Sequence, residues 1–151
     1  MMKRNVLLVA GVLAALATVA IVAVMATSDG PSDALWHATV RVESRGNPHA
    51  YNPHDGASGI AQIRAVCLAD ANRLARERGL NERFTASDLS DPVRARRLWA
   101  LYLDYYGDLY ERQTGRAPTD EVYARIWNGG PNGWRKASTR EYWERVRATM
   151  D

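Results

Sequence analysis

The stretch that decides the fold is Asp33-Ala34-Leu35-Trp36-His37-Ala38-Thr39-Val40-Arg41-Val42-Glu43-Ser44-Arg45-Gly46-Asn47-Pro48. Ser32 precedes it and can cap a helix, while Asp33 puts negative charge in the first turn, where the helix dipole favours it. Trp36, Val40 and Glu43 recur at i, i+4 and i+7, so they share one stripe of a helix running to about Ser44 and ending before Arg45-Gly46-Asn47-Pro48. A glutamate that only solubilises a helix belongs opposite the tryptophan. At the end of an apolar stripe its carboxyl is drawn out of water, which disfavours the charged form and raises the pKa. Such an acid can still hold a proton near neutral pH. On spacing alone a blander reading stays open: a boundary glutamate bonded to arginine or backbone.

Downstream, Ala50 to Ser58 is dense in Asn, Pro, His, Asp and Gly and reads as a loop or short hairpin. Gly59 to Arg78 reads as largely helical, with Cys67, Ala71, Leu74 and Arg78 on one stripe and Gly79 as the stop. Asp91-Pro92 is a cap followed by proline at the first helical position. From there Leu98, Trp99, Leu101, Tyr102, Tyr105 and Tyr106 form an apolar face up to Gly107, and a shorter helix is expected from Leu109 to Thr114, before Gly115. Val122, Tyr123, Ile126 and Trp127 repeat at helical spacing before the break at Asn128-Gly129-Gly130-Pro131. Ser138-Thr139-Arg140-Glu141 has the form of a capping box, opening a helix with Tyr142, Val146 and Met150 in register. No strand run is convincing, so the fold class is all-α or nearly so.

Upstream, Val6 to Ala26 is a 21-residue run without a charge, opened by Lys3-Arg4. At ~1.5 Å per residue a helix of that length spans the ~30 Å hydrocarbon core of a bilayer. Positive charge ahead of it predicts a cytoplasmic N-terminus, with the rest of the chain across the membrane. A cleavable signal peptide, cut after Val24-Met25-Ala26, competes, but its apolar run would be unusually long. The expected division is an anchor over residues 1–27, a linker over 28–32 and one domain over 33–151.

Charge follows the same division. Without Lys3 and Arg4 the remainder carries 18 basic against 17 acidic residues, which leaves no footprint for a nucleic acid. Cys67 is the only cysteine, so no intramolecular disulfide framework exists; it reads as a small buried hydrophobe. His37, His49 and His54 lack ligand spacing, so neither metal nor cofactor is expected. Five Trp and seven Tyr stand against Phe84 alone. Rings with a polar handle suit groove walls that meet sugars, though ordinary helix packing explains them equally well.

Four segments carry a resemblance. Glu43-Ser44-Arg45-Gly46-Asn47-Pro48 resembles the E-S-x-x-N-P signature of soluble lytic transglycosylases, Gly59-Ile60-Ala61-Gln62-Ile63 their G-L-M-Q segment, Ile126-Trp127-Asn128-Gly129-Gly130-Pro131 their A-Y-N-x-G motif, and Thr139-Arg140-Glu141-Tyr142 with Val146 their closing T-x-x-Y-x-x-x-V. The order is the family's and the motifs span nearly the whole body. The resemblance implies a lysozyme-like helical domain acting on peptidoglycan strands. The leader's own reading anchors it in the inner membrane through residues 6–26 with the domain on the periplasmic side, export after signal cleavage or later release from the membrane being the alternatives. The resemblance implies Glu43 as the catalytic acid, then base, at the bond between N-acetylmuramic acid and N-acetylglucosamine, closing a 1,6-anhydro ring. Gln62, Asn128, Trp127, Ser44 and Asn52 would line the groove, and Tyr142 would lie beside Glu43 and position it. The chain departs from the pattern at Ile60-Ala61 for Leu-Met, at Trp127 for tyrosine and at Asn52 for serine, and its loop is about one residue longer.

Asp55, twelve residues after Glu43, keeps a second outcome open. Goose-type lysozymes, relatives of the same fold, hold an aspartate in a similar loop to activate water. An inverting hydrolase needs its two carboxyls roughly 6.5–9.5 Å apart. The plainer reading of Asp55 is a turn former ahead of Gly56. A non-catalytic, membrane-anchored wall-binding protein on the same scaffold is the third alternative.

Overall fold

The computed structural model describes residues 30–150, so the apolar run of residues 6–26 lies outside the described residues. The described part consists of five α-helices, one two-stranded hairpin and three single 3-10 turns. The all-α expectation holds, with the hairpin and one adjoining β-bridge, Ser58 to Ile63, as the β features of the described residues. Among the described residues no helix is long and apolar enough to cross a membrane.

Helix α1 (Asp33–Ser44) starts where the sequence placed it. The Ser32 hydroxyl accepts from the Leu35 amide at 3.0 Å and donates to the Asp120 carboxylate at 3.2 Å, so one cap ties two helix starts together. The helix ends on Arg45 in the left-handed region (φ 55°), its amide returning to the Arg41 carbonyl. The chain then enters a hairpin of β1 (Tyr51–Asn52) and β2 (Ala57–Ser58), paired antiparallel.

Helix α2 (Ala65–Glu77) begins six residues later than the sequence suggested. Ser58 and Ile63 exchange backbone hydrogen bonds (3.1 and 2.9 Å) across a tight turn that holds Gly59 and Gln62 at positive φ, which no helix can absorb. Gly59 is obligatory for a second reason: a Cβ there would stand 1.8 Å from the Leu89 carbonyl oxygen. The 3-10 turn Ala86–Ser90 that carries Leu89 is opened by a capping box between Thr85 and Asp88, which the sequence reading did not pick out.

Helix α3 (Pro92–Thr114) is continuous, not divided at Gly107. Gly107 costs roughly 1 kcal/mol of helix propensity, but a Cβ there would lie 2.6 Å from the Tyr123 ring. The glycine is the crossing point with α4 (Asp120–Gly129), not a stop. The expected capping box of α5 (Arg140–Arg147) does not form. The helix opens one residue later than a Ser138–Glu141 box requires, with Thr139 at the N-cap, and the Thr139 hydroxyl turns inward, donating to the Gly133 carbonyl at 2.8 Å and accepting from Arg125 Nε at 3.0 Å. The helix stops at Arg147, so Met150 lies beyond it.

The core is built around α3. Leu98, Trp99 and Leu103 are fully buried against Leu35 and Trp36 of α1, Leu74 of α2 and Ile126 of α4. Ala71, Ala75 and Ala95 have no exposed surface, and such small side chains let α2 and α3 approach closely. Edge-on rings carry the core outward: Trp36 to Trp99 at 5.3 Å, Trp99 to Trp127 at 6.5 Å and Tyr102 to Trp127 at 5.8 Å. Each such pair is worth about 0.5–1.5 kcal/mol beyond its buried area. The last ring of this chain, Trp127, stands at the edge of a cleft.

Candidate active site

Glu43 occupies the last turn of α1, half-buried, at a helix end whose free carbonyls already disfavour negative charge. Tyr142, buried on α5, donates its phenol hydrogen to Glu43 Oε1 at 2.7 Å. This bond, the Arg145 guanidinium, which lies over the Tyr142 ring at 5.7 Å, and the Trp127 side chain all favour the carboxylate. Burial opposes them and wins, with a smaller push from the Asp55 charge, so the Glu43 pKa is raised to about 7. The acid sits where it can give up a proton and take one back near neutrality.

The cleft it borders has a volume of about 870 Å³. Asn52, Asp55, Gln62, Trp127 and Asn128 border it with Glu43, which brings together most of the residues singled out in the sequence. Gln62 has a left-handed backbone (φ 51°) that costs roughly 1–2 kcal/mol. Its Nε2 donates to the carbonyls of Ala50 (3.2 Å) and Gly59 (3.0 Å), locking the hairpin base. Its amide oxygen has no protein donor among the described residues and is available to a sugar. Asn52 accepts from the His54 amide (3.1 Å), which shapes the hairpin loop. Asn128 is exposed on the last turn of α4.

Ser44 does not border the cleft. Its hydroxyl donates to the carbonyls of Ile60 (2.7 Å) and Val40 (3.3 Å), pinning the acid-bearing helix end to the Gly59–Ile63 turn. Tyr142 is likewise behind the cleft, reaching it only through Glu43. Asp55 is exposed, and its Oδ1 accepts from the Ala57 amide at 3.2 Å. That bond fits the turn-forming reading, and the residue's place in the cleft keeps it close enough to act on Glu43.

Sequence reasoning missed Arg145 and the α2 wall of the cleft. Arg145 is visible only as a residue three after Tyr142, on the same face of α5. On α2 the core stripe was recognised, but the complementary stripe of Val66, Ala69, Arg73 and Arg76 was not. Cys67 borders the cleft beneath that wall, and burial pushes its thiol up to about 12. That shift favours the neutral thiol over the thiolate.

A helical body with a half-buried glutamic acid beside a long open cleft is the build of the lysozyme-like class. The family described as Transglycosylase SLT domain matches residues 23–148, and the chain belongs to that family. Its fold is that of lysozymes of known structure. The crystal structure of Tapes japonica lysozyme superposes with a TM-score of 0.62 at 23% identity, over 77% of this chain and 88% of that one. An inhibitor-bound lysozyme from Meretrix lusoria gives 0.62 at 22% identity, over 78% and 89%. "Lysozyme 1" of Crassostrea virginica is 49% identical over 39 residues, which is 26% of this chain and 21% of that protein. The chain thus spans about a fifth of the length of the curated relative it matches.

Proposed function

We propose that this protein cleaves the β-1,4 bond between N-acetylmuramic acid and N-acetylglucosamine in peptidoglycan, as a lytic transglycosylase with Glu43 as sole acid and base. The observation that carries the reading is the Glu43–Tyr142 pair: a carboxyl with its pKa at about 7, held at 2.7 Å from a buried phenol beside an 870 Å³ cleft. Protonated Glu43 gives its proton to the glycosidic oxygen as the C1–O bond breaks through an oxocarbenium-like transition state. The resulting carboxylate takes the proton of the muramic 6-hydroxyl, whose oxygen attacks C1 and closes the 1,6-anhydro ring. Glu43 ends protonated, as it began. No water enters, and no second carboxylate is required. Tyr142 and Trp127 steady the carboxylate during the interval in which it is charged.

One observation favours a second reading, a lysozyme-type hydrolase. Asp55 borders the same cleft and its charge acts on Glu43. Digestion of purified peptidoglycan followed by mass spectrometry of the fragments separates the two: 1,6-anhydro ends are expected, and reducing ends would overturn the transglycosylase in favour of the hydrolase. A zymogram on which wild type leaves no more clearing than Glu43→Gln would instead favour the wall-binding alternative, and equal clearing by both would remove Glu43 from the chemistry. The setting we infer is a single-pass tether through residues 6–26 in the inner membrane, N-terminus cytoplasmic and cleft in the periplasm. Protease accessibility of the domain in spheroplasts tests it.

A further inference from the structure

The far wall of the cleft is α2, and it is not a plain sugar platform. Val66, Ala69, Arg73 and Arg76 succeed one another at three- and four-residue steps, so one stripe of the helix borders the cleft, with Arg64 at the N-cap. From Arg64 to Arg76 the helix rises about 18 Å.

The three arginines are in different states. Arg73 is committed, with Asp70 and Glu77 oxygens each at 2.6 Å. Asp70, the acid on this wall, is committed in turn: Arg73 takes one oxygen and the Tyr106 phenol donates to the other at 2.5 Å. Arg64 and Arg76 are exposed and have no ion-pair partner among the described residues. The wall therefore presents two unspent guanidiniums, one near each end, with Ala69 and the 68%-exposed Val66 between them. A neutral glycan offers a guanidinium no counter-charge, and it leaves an exposed valine unused.

Peptidoglycan does carry such groups. Each muramic acid bears a lactyl-linked peptide with methyl side chains and free carboxylates, and a guanidinium binds a carboxylate through two parallel N–H donors. We propose that Arg64 and Arg76 bind carboxylates of these peptide stems while Val66 and Ala69 carry their methyl groups, so that the cleft selects stem-bearing over bare strands. This rests on the cleft's being a peptidoglycan-cleaving site. Wall phosphodiesters share the anionic chemistry, so the test uses strands freed of phosphate polymers.

The full chain is assayed on glycan strands with their peptides intact and on the same strands stripped by an amidase, with the lactyl carboxylates that stripping frees converted to amides. Wild type is expected to show roughly tenfold higher kcat/KM on the stem-bearing strands. In Arg64→Gln/Arg76→Gln that ratio falls towards one through a higher KM on stem-bearing strands, while kcat/KM on bare strands holds. Arg112→Gln, which removes an exposed charge at the end of α3 away from the cleft, leaves the ratio as in wild type. Equal wild-type rates on both strands, an unchanged ratio in the double variant, or an equal fall in Arg112→Gln each overturns the proposal. Failure of wild type on both substrates is a different result: it sinks the cleavage reading itself, and this inference with it.

Discussion

Two tyrosine–carboxyl pairs flank the same cleft and serve opposite ends. Tyr142 donates to Glu43 at 2.7 Å, and Tyr106 donates to Asp70 at 2.5 Å; in each case a phenol on one helix reaches a carboxyl on another. The difference lies in what else touches the carboxyl. Asp70 has a guanidinium at 2.6 Å, mid-helix and part-buried; the network Asp70–Arg73–Glu77 runs along α2, and the Tyr106 phenol joins it to α3. Glu43 has no ion pair among the described residues, stands at a helix C-terminus and is drawn out of water, so it is raised to about 7. Desolvation without a contacting cation raises a carboxyl's pKa.

Breaking the first pair should have the largest effect. Glu43→Gln is expected to lower kcat by about 10³-fold or more, measured by release of soluble fragments from purified peptidoglycan. Asp70→Asn, its counterpart, is expected to cost about 1 kcal/mol of stability in urea titrations and to change kcat by less than about threefold. Comparable activity losses in the two would erase the distinction.

Next come the phenols. Tyr142→Phe removes a donor that favours the Glu43 carboxylate, so the pKa rises further and the alkaline limb of the rate profile moves to higher pH, while kcat falls about 10- to 100-fold. Tyr106→Phe leaves that limb where it is. A pH–rate series on both variants checks the contrast.

Stability gives the next effect, and its sign is set by the raised pKa. The folded state holds the Glu43 proton up to about pH 7, against an ordinary value of 4.5. This contribution is therefore full below about pH 4.5 and is lost as the pH climbs through about 7. Discounted for the exposed edge of the side chain, it amounts to about 1–3 kcal/mol. Glu43→Gln should accordingly be more stable than wild type at pH 8 and no more stable at pH 4, as read by thermal melts.

The smallest effect sharpens the comparison from across the cleft. Asp55→Asn removes a charge that raises the Glu43 pKa, so the alkaline limb should move slightly to lower pH, with kcat within about threefold and anhydro products retained. A loss of about 100-fold would install Asp55 as the base of a hydrolase.

What the sequence disclosed was local. The Ser32 cap, the Asp91-Pro92 start and the Trp36–Val40–Glu43 stripe depend on neighbours within two turns, and the structure has all three. Tertiary partners stayed hidden for a physical reason. Gly107 reads as a stop until Tyr123 is seen against it, and Ser138 reads as a cap until the helix is seen to open after Thr139, whose hydroxyl Arg125 and Gly133 claim. Ser44 stands inside a motif that suggests a substrate contact, yet its hydroxyl serves the Ile60 carbonyl. Tyr142 is 99 residues from Glu43, and only the family resemblance, not spacing, linked the two. Asp70 and Tyr106, 36 residues apart, had no such motif to announce them.

The absence of clearance at Gly59 constrains how this cleft can be re-engineered or can drift. With the Leu89 carbonyl 1.8 Å from where any side chain would begin, the hairpin base tolerates no mutational exploration, and Asn52, Asp55 and Gln62 move only if two segments shift together. The opposite bank has no such lock at Val66, which stands 68% exposed. New substrate tolerance should therefore arise one residue at a time along α2, and saturation libraries aimed at position 59 should return glycine alone.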